Sequence, residues 1–145
     1  MKKKAIALLF ISILWMYLPL SSVYALTNKS PESSQEEIHH YIIASLLMPY
    51  ILKSVNGYYS KFLNHPLSVA PWEVDFLSEE QPNNNFRFVI KIKVLPYLGP
   101  HIRVGEDNIT MSVEGPGEVV VNNFEHIKSD YLNLPSNWQH IIKTK

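Results

Sequence analysis

One short segment gathers the side chains that do acid–base and anion chemistry. His101, Arg103, Glu106 and Asp107 fall between the turn-forming pair Gly99-Pro100 and Asn108. A histidine beside a carboxylate is a minimal acid–base pair: the carboxylate orients the imidazole, which moves a proton near neutral pH. His101 with Asp107, or with Glu106, is therefore the candidate catalytic pair of a small hydrolase. Arg103 is a candidate for holding a carboxylate or phosphate, and Glu106, Tyr58 and Tyr59 are the other candidate binding residues. No nucleophile is placed beside them by spacing. The plainer reading is a hairpin shaped by Gly and Pro, with its polar side chains solvated.

Metal and cofactor chemistry find less support. His39 and His40 are adjacent, and neither has a His or acid four residues on, where Ile43 and Ala44 stand. The helical metal pattern is absent, so no metal site and no cofactor are expected. Cysteine is absent as well, which removes thiolate ligands, thiol catalysis and disulfides. Glu79 and Glu80 point to opposite faces of an extended chain and read as a solvated strand end. His65, His126 and His140 are scattered and join a site only through the fold. Arg87, Lys91 and Lys93 share one face of a strand and read as its solvent side.

The elements that position these residues are legible from period and punctuation. Ser33 and Ser34 stand three residues before Glu36 and Glu37, two overlapping capping-box patterns. A helix is expected from Gln35 to about Lys53 or beyond. Tyr41, Ile42, Ile43, Leu46, Leu47, Met48, Tyr50, Ile51 and Leu52 make it apolar on nearly every side, which predicts burial on several faces. Pro49 should kink or restart it, and Asn56-Gly57 is a stop signal. After Pro71 the period falls to two. Trp72, Val74 and Phe76 predict one strand, and Phe86, Phe88, Ile90, Ile92 and Val94 a second. Ile109, Met111 and Val113 predict a third, and Val119 with Val121 a fourth. Residues 96–105 read as a loop or ragged strand edge. Ser136 caps a short final helix with Trp138, Ile141 and Ile142 as its docking face. Helix first and strands after, with short connections, define an α+β fold. The expected architecture is an N-terminal helix kinked at Pro49 on an antiparallel sheet of about four strands, a cystatin-like roll.

The order of several short pieces also carries a resemblance. They are Leu46-Leu47-Met48-Pro49-Tyr50-Ile51, Tyr58-Tyr59, Val69-Ala70-Pro71, the stretch 94–110 with Gly99-Pro100-His101 and Gly105-Glu106-Asp107, and Gly117-Glu118-Val119 through His126-Ile127-Lys128. Over about residues 36–130 the chain resembles a family of small exported proteins of Bacillus-type spore-forming bacteria, a domain of unknown function. The resemblance implies a single exported domain, in which Pro49 and the 99–107 loop are family features. It supplies no catalytic residues.

The start of the chain predicts its destination. Lys2, Lys3 and Lys4 precede an uncharged, mostly apolar run over residues 5–18. Pro19, Ser21 and Ser22 then lead to Val23-Tyr24-Ala25. This is the three-part pattern of a secretory signal, cut after Ala25. Residues 1–25 are expected to be the signal peptide, 26–34 a linker and 35–145 one α+β domain, secreted or held at the cell envelope. An uncleaved segment would instead anchor the chain in a membrane.

Composition narrows the function further. The 145 residues carry 13 basic and 13 acidic side chains, and loss of the three leader lysines leaves an acidic domain. Neither balance favours a nucleic-acid partner. The expected function is a non-enzymatic binding module for a protein or small-molecule ligand, with the apolar helix face and the 99–110 loop as its surfaces. The small hydrolase is the alternative. A homodimer through the helix is the third reading.

Overall fold

In the computed structural model, residues 34–82 and 86–144 are described, all within one unit spanning Ser33–Lys145. The expected signal peptide, most of the linker, the Ser33 cap and the Asn-rich turn at 83–85 lie outside the described residues.

Helix α1 (Gln35–Tyr59) begins where the capping signal places it: the Ser34 hydroxyl accepts the Glu37 backbone N–H at 3.1 Å, with Glu36 and Glu37 in the first turn. It then runs without interruption through Pro49. The proline leaves the Ser45 carbonyl without its helical donor, but both residues sit on the exposed side, where solvent can reach that carbonyl. The Asn56-Gly57 stop is overrun as well. Asn56 serves a different purpose: its amide donates to Leu52 O (3.0 Å) and Leu67 O (3.1 Å) and accepts from Leu67 N at 2.7 Å. It thereby ties the returning chain to the helix.

Four strands form an antiparallel sheet in the order β1 (Val74–Glu80), β2 (Arg87–Val94), β5 (Gly105–Glu114), β6 (Glu118–Ser129). The expected loop at 96–105 contains a small separate hairpin, β3 (Tyr97–Leu98) with β4 (Ile102–Arg103). The α+β class and the four-stranded antiparallel sheet are as the sequence predicts.

Ala44, Leu47, Ile51, Val55 and Tyr59 recur at helical spacing and form the buried stripe of α1. They meet Ile90, Ile92 and Val94 of β2 and Ile109 and Met111 of β5 in one core. Burial on several helix faces is not observed. A single sheet covers one stripe, and Ile42 and Leu46 stay exposed, Leu46 at 72%.

Both outer strands carry irregular pairing. Leu77 is extra in β1 relative to β2, and Asn122 and Ile127 are extra in β6 relative to β5. Such bulges twist an edge away from intermolecular pairing and change which side chains face inward.

The tail forms two short 3₁₀ turns, Tyr131–Asn133 and Ser136–Ile141, in place of the expected α-helix. Ser136 is the first residue of its turn and makes no cap; Pro135 holds the cap position. The docking residues are as predicted: Ile141 is buried and Trp138 packs against Gly99. Backbone bonds from Asn64 N to Ile141 O (2.8 Å) and Lys143 N to Phe62 O (2.8 Å) sew this tail to the end of α1.

Candidate functional site

The structure does not bring His101 to Asp107. His101 sits exposed in the β3–β4 turn with φ of 60°, a left-handed conformation that histidine tolerates better than most residues. Its ring stacks on Tyr97, with a centroid separation of 4.4 Å. Asp107 points the other way, into the core, with no exposed surface. The reason is strand phase: β5 alternates Gly105, Asp107, Ile109 and Met111 inward, and the carboxylate follows its apolar neighbours.

Asp107 is held instead by a histidine from the neighbouring strand. His126 Nδ1 lies 2.6 Å from Asp107 Oδ1, and His126 Nε2 lies 2.7 Å from Ser129 Oγ. Tyr59 adds a longer bond, its hydroxyl 3.4 Å from the same Oδ1. A carboxylate only accepts, so Nδ1 carries the proton and donates it. In the neutral ring Nε2 is then the acceptor and Ser129 donates to it. Asp107 Oδ2 is buried with no hydrogen-bond partner. Burial pushes the Asp107 carboxyl up from the ordinary value of 3.8, against the lowering effect of the bonds from His126 and Tyr59. Burial, followed by the neighbouring Asp107 charge, also pushes the Tyr59 hydroxyl well up, so it stays neutral and remains a donor.

Two backbone features make this cluster. Without the bulge at Ile127, residues three apart on β6 would face opposite sides. The extra residue re-phases the strand, so that His126 and Ser129 share the inner face. Gly105 makes room for Tyr59: a Cβ there would lie 2.0 Å from the Tyr59 hydroxyl and 2.6 Å from Lys128 O. Neither His126 nor Ser129 is marked by spacing in the sequence. The pattern His-x-x-Ser on a strand reads as two unrelated faces, and only the pairing register reveals otherwise.

The other candidate binding residues are engaged within the fold. Arg103 donates to Glu106 Oε2 at 2.5 Å and approaches Asp130 Oδ2 at 3.4 Å. Lys128 takes the other oxygen of Asp130 at 2.7 Å. Tyr59 is a core residue, and Tyr58 is half-buried with its ring stacked on His126 at 4.7 Å. The basic row on β2 is partly matched by acids: Arg87 meets Glu114 at 3.2 Å and Lys93 meets Asp75 at 2.7 Å. His40 stacks on Phe76 and lies 3.6 Å from Glu79. Among the described residues no three His, Asp or Glu side chains converge as a metal site.

A second feature is a groove of about 690 Å³ between α1 and the end of the sheet where β1 finishes and β2 begins. Ile43, Leu47 and Tyr50 line it from the helix; Phe88, Ile90 and Val119 line it from the sheet. Phe88 is 43% exposed, so the apolar face of β2 continues past the packed core into this opening. Glu79 and Glu80 stand at its rim, and among the described residues that line it none is Lys, Arg or His. Leu46 forms the ridge between the groove and a shallower hollow lined by Ile38, Tyr41, Ile42 and Ser45.

A small α+β domain with an Asp–His–Ser cluster anchored on a buried carboxylate and an open apolar groove is the class that fold and site define. By sequence the chain belongs to the family described as Protein of unknown function (DUF3888), whose model matches residues 39–128. No curated protein and no solved structure matches it.

Proposed function

We propose that the protein is an exported binding module of a Bacillus-type spore-forming bacterium. It is released or held at the cell envelope after cleavage following Ala25. Its groove takes an apolar segment of a partner peptide that also carries positive charge.

The observation that supports this reading is the groove itself. Phe88 and Leu46 are large apolar side chains left exposed beside a cleft lined mostly by apolar residues. Full burial of such a side chain is worth roughly 1.5–3 kcal/mol, and an occupant recovers the share that Phe88 and Leu46 still leave exposed. The charge of the rim selects the occupant. Glu79 and Glu80 attract lysine or arginine and repel fatty acids and phospholipid headgroups. The Arg103 and Glu106 side chains in the 99–110 segment bind each other, which makes that segment the weaker of the two expected surfaces.

Titration with a lysine-rich amphipathic peptide, followed by calorimetry, tests the reading. Saturable binding is expected. Leu46→Ser should weaken it, and Glu80→Lys should weaken it more at low salt than at high salt. An acidic peptide of equal hydrophobicity that binds as tightly would sink the charge argument. Self-association in sedimentation that excludes the peptide would make a second copy the occupant. Export is tested by sequencing the N-terminus of the protein from culture supernatant, where Leu26 is the expected first residue.

A further inference from the structure

We propose that Ser129 is a base-activated nucleophile, with His126 as its general base and Asp107 as the residue that positions His126. The proposal goes beyond the binding reading and stands without it.

The order of contacts carries the inference. Nucleophile, base and orienting acid form a relay of two short hydrogen bonds, 2.7 Å from Ser129 Oγ to His126 Nε2 and 2.6 Å from His126 Nδ1 to Asp107 Oδ1. Both distances lie within the range at which a serine is activated by an adjacent base. Because the carboxylate fixes the proton on Nδ1, the Nε2 lone pair is directed at the serine hydroxyl, as proton removal requires. Exposure is graded along the relay: Asp107 is fully buried, the His126 side chain is 19% exposed, and Ser129 is half-buried at the strand end. The reacting end meets solvent and the orienting end does not.

The backbone holds the serine in place. Ser129 pairs with Gly105 in the ladder, and the next two N–H groups, of Asp130 and Tyr131, both bond to Val104 O at 2.7 and 2.8 Å. The ring is clamped too, stacked on Tyr58 and edge-on to Tyr59. A cluster serving stability alone gains little from burying a carboxylate with one oxygen unpartnered, since such a group gives up its hydration for no bond.

The same backbone bonds define the substrate class. The N–H groups that follow Ser129 are spent on Val104 O, so neither is available to stabilise an oxyanion. The site therefore suits small acyl esters with good leaving groups. Ser129 Oγ forms a bond to the acyl carbon as its proton passes to His126 Nε2. The carbon–oxygen bond to the leaving group breaks, and the proton returns to the departing oxygen. Water, deprotonated by the same nitrogen, then releases the acid and regenerates the hydroxyl, so that ester and water give acid and alcohol.

The folded protein is treated with a fluorophosphonate, and p-nitrophenyl acetate hydrolysis is followed in parallel. With the phosphonate, the serine oxygen forms the bond to phosphorus, fluoride leaves, and His126 takes the proton. One adduct is expected, on the peptide containing Ser129, together with a hydrolysis rate above that of the buffer and dependent on pH. Ser129→Ala, which removes one partly exposed hydroxyl, should keep the melting temperature close to that of the parent and lose both signals. His126→Gln should lower both by about 100-fold or more. Asp107→Asn, checked for folding by circular dichroism, should lower the rate and flatten the pH profile. Absence of an adduct on the native protein overturns the proposal. So does an adduct that survives His126→Gln undiminished or forms equally on the unfolded chain.

Discussion

Gly105 and Tyr59 approach so closely that a methyl group at position 105 would lie 2.0 Å from the tyrosine hydroxyl. One is the first residue of β5, the other the last residue of α1. Their contact sets how near the helix end comes to the sheet, and so how Asp107 is enclosed. The carbonyl of Lys128, 2.6 Å from the same point, cannot move without disturbing the β5–β6 ladder. Gly105→Ala should therefore destabilise by about 1–3 kcal/mol or more through overpacking. Tyr59→Phe should cost less, near 1 kcal/mol, because 3.4 Å is long for a hydroxyl bond. Urea unfolding of the two variants checks the order. A smaller loss for Gly105→Ala than for Tyr59→Phe would contradict the packing account.

The buried carboxylate predicts a pH dependence of definite sign. Burial raises the folded-state pKa of Asp107 above its ordinary 3.8, and the nearby Glu106 charge adds to the shift, whereas His126 and Tyr59 oppose it. Relative to the unfolded chain, the folded state holds the Asp107 proton more tightly. That contribution is complete below 3.8 and is lost as pH rises through the raised value. Asp107→Asn has no such proton to lose. The stability of the parent, measured against this variant, should fall as pH rises above 3.8 and through the raised value. Thermal melts of both proteins across that range decide it. A parent that gains on the variant as pH rises would contradict the assignment.

Leu46 and Leu47 are neighbours in sequence with opposite roles. Leu47 lies in the core stripe of α1, while Leu46 is 72% exposed on the groove ridge. Leu47→Ala should cost about 2–5 kcal/mol in stability. Leu46→Ser should stay within about 0.5 kcal/mol and act on peptide binding alone. Denaturant midpoints together with peptide titration separate the two effects.

Pro49 is a residue the helix tolerates rather than uses. It sits on the exposed side and withholds a donor from Ser45 O within a continuous helix. Pro49→Ala restores that bond and should raise stability by up to about 3 kcal/mol. An increase in the urea midpoint with unchanged slope is the expected result; a decrease would mean that Pro49 makes a stabilising contact.

The fold was legible where one local rule decides the outcome. Ser34 and Glu37 mark the helix start, because an unpaired N–H there needs a partner whatever the rest of the chain does. Ile90, Ile92 and Val94 announce β2 by their period, and the short connections make the sheet antiparallel. Local rules misled at Pro49 and at Asn56-Gly57. The continuous helix offsets the first penalty by packing, and it recruits Asn56 for a tertiary bond to Leu67.

The site was less legible, for a physical reason. Sequence alone determined that His101 and Asp107 are near in the chain, and it marked Asp107 as a candidate for acid–base chemistry with His101. The tertiary structure decided which histidine meets it. Strand phase turns Asp107 inward, and the bulge at Ile127 rotates Ser129 onto the face of His126. A bulge leaves no mark in residue types, since it is fixed by the pairing of two whole strands. The sequence determined the elements and their order; only the register between them could select His126 and Ser129 as the partners of Asp107.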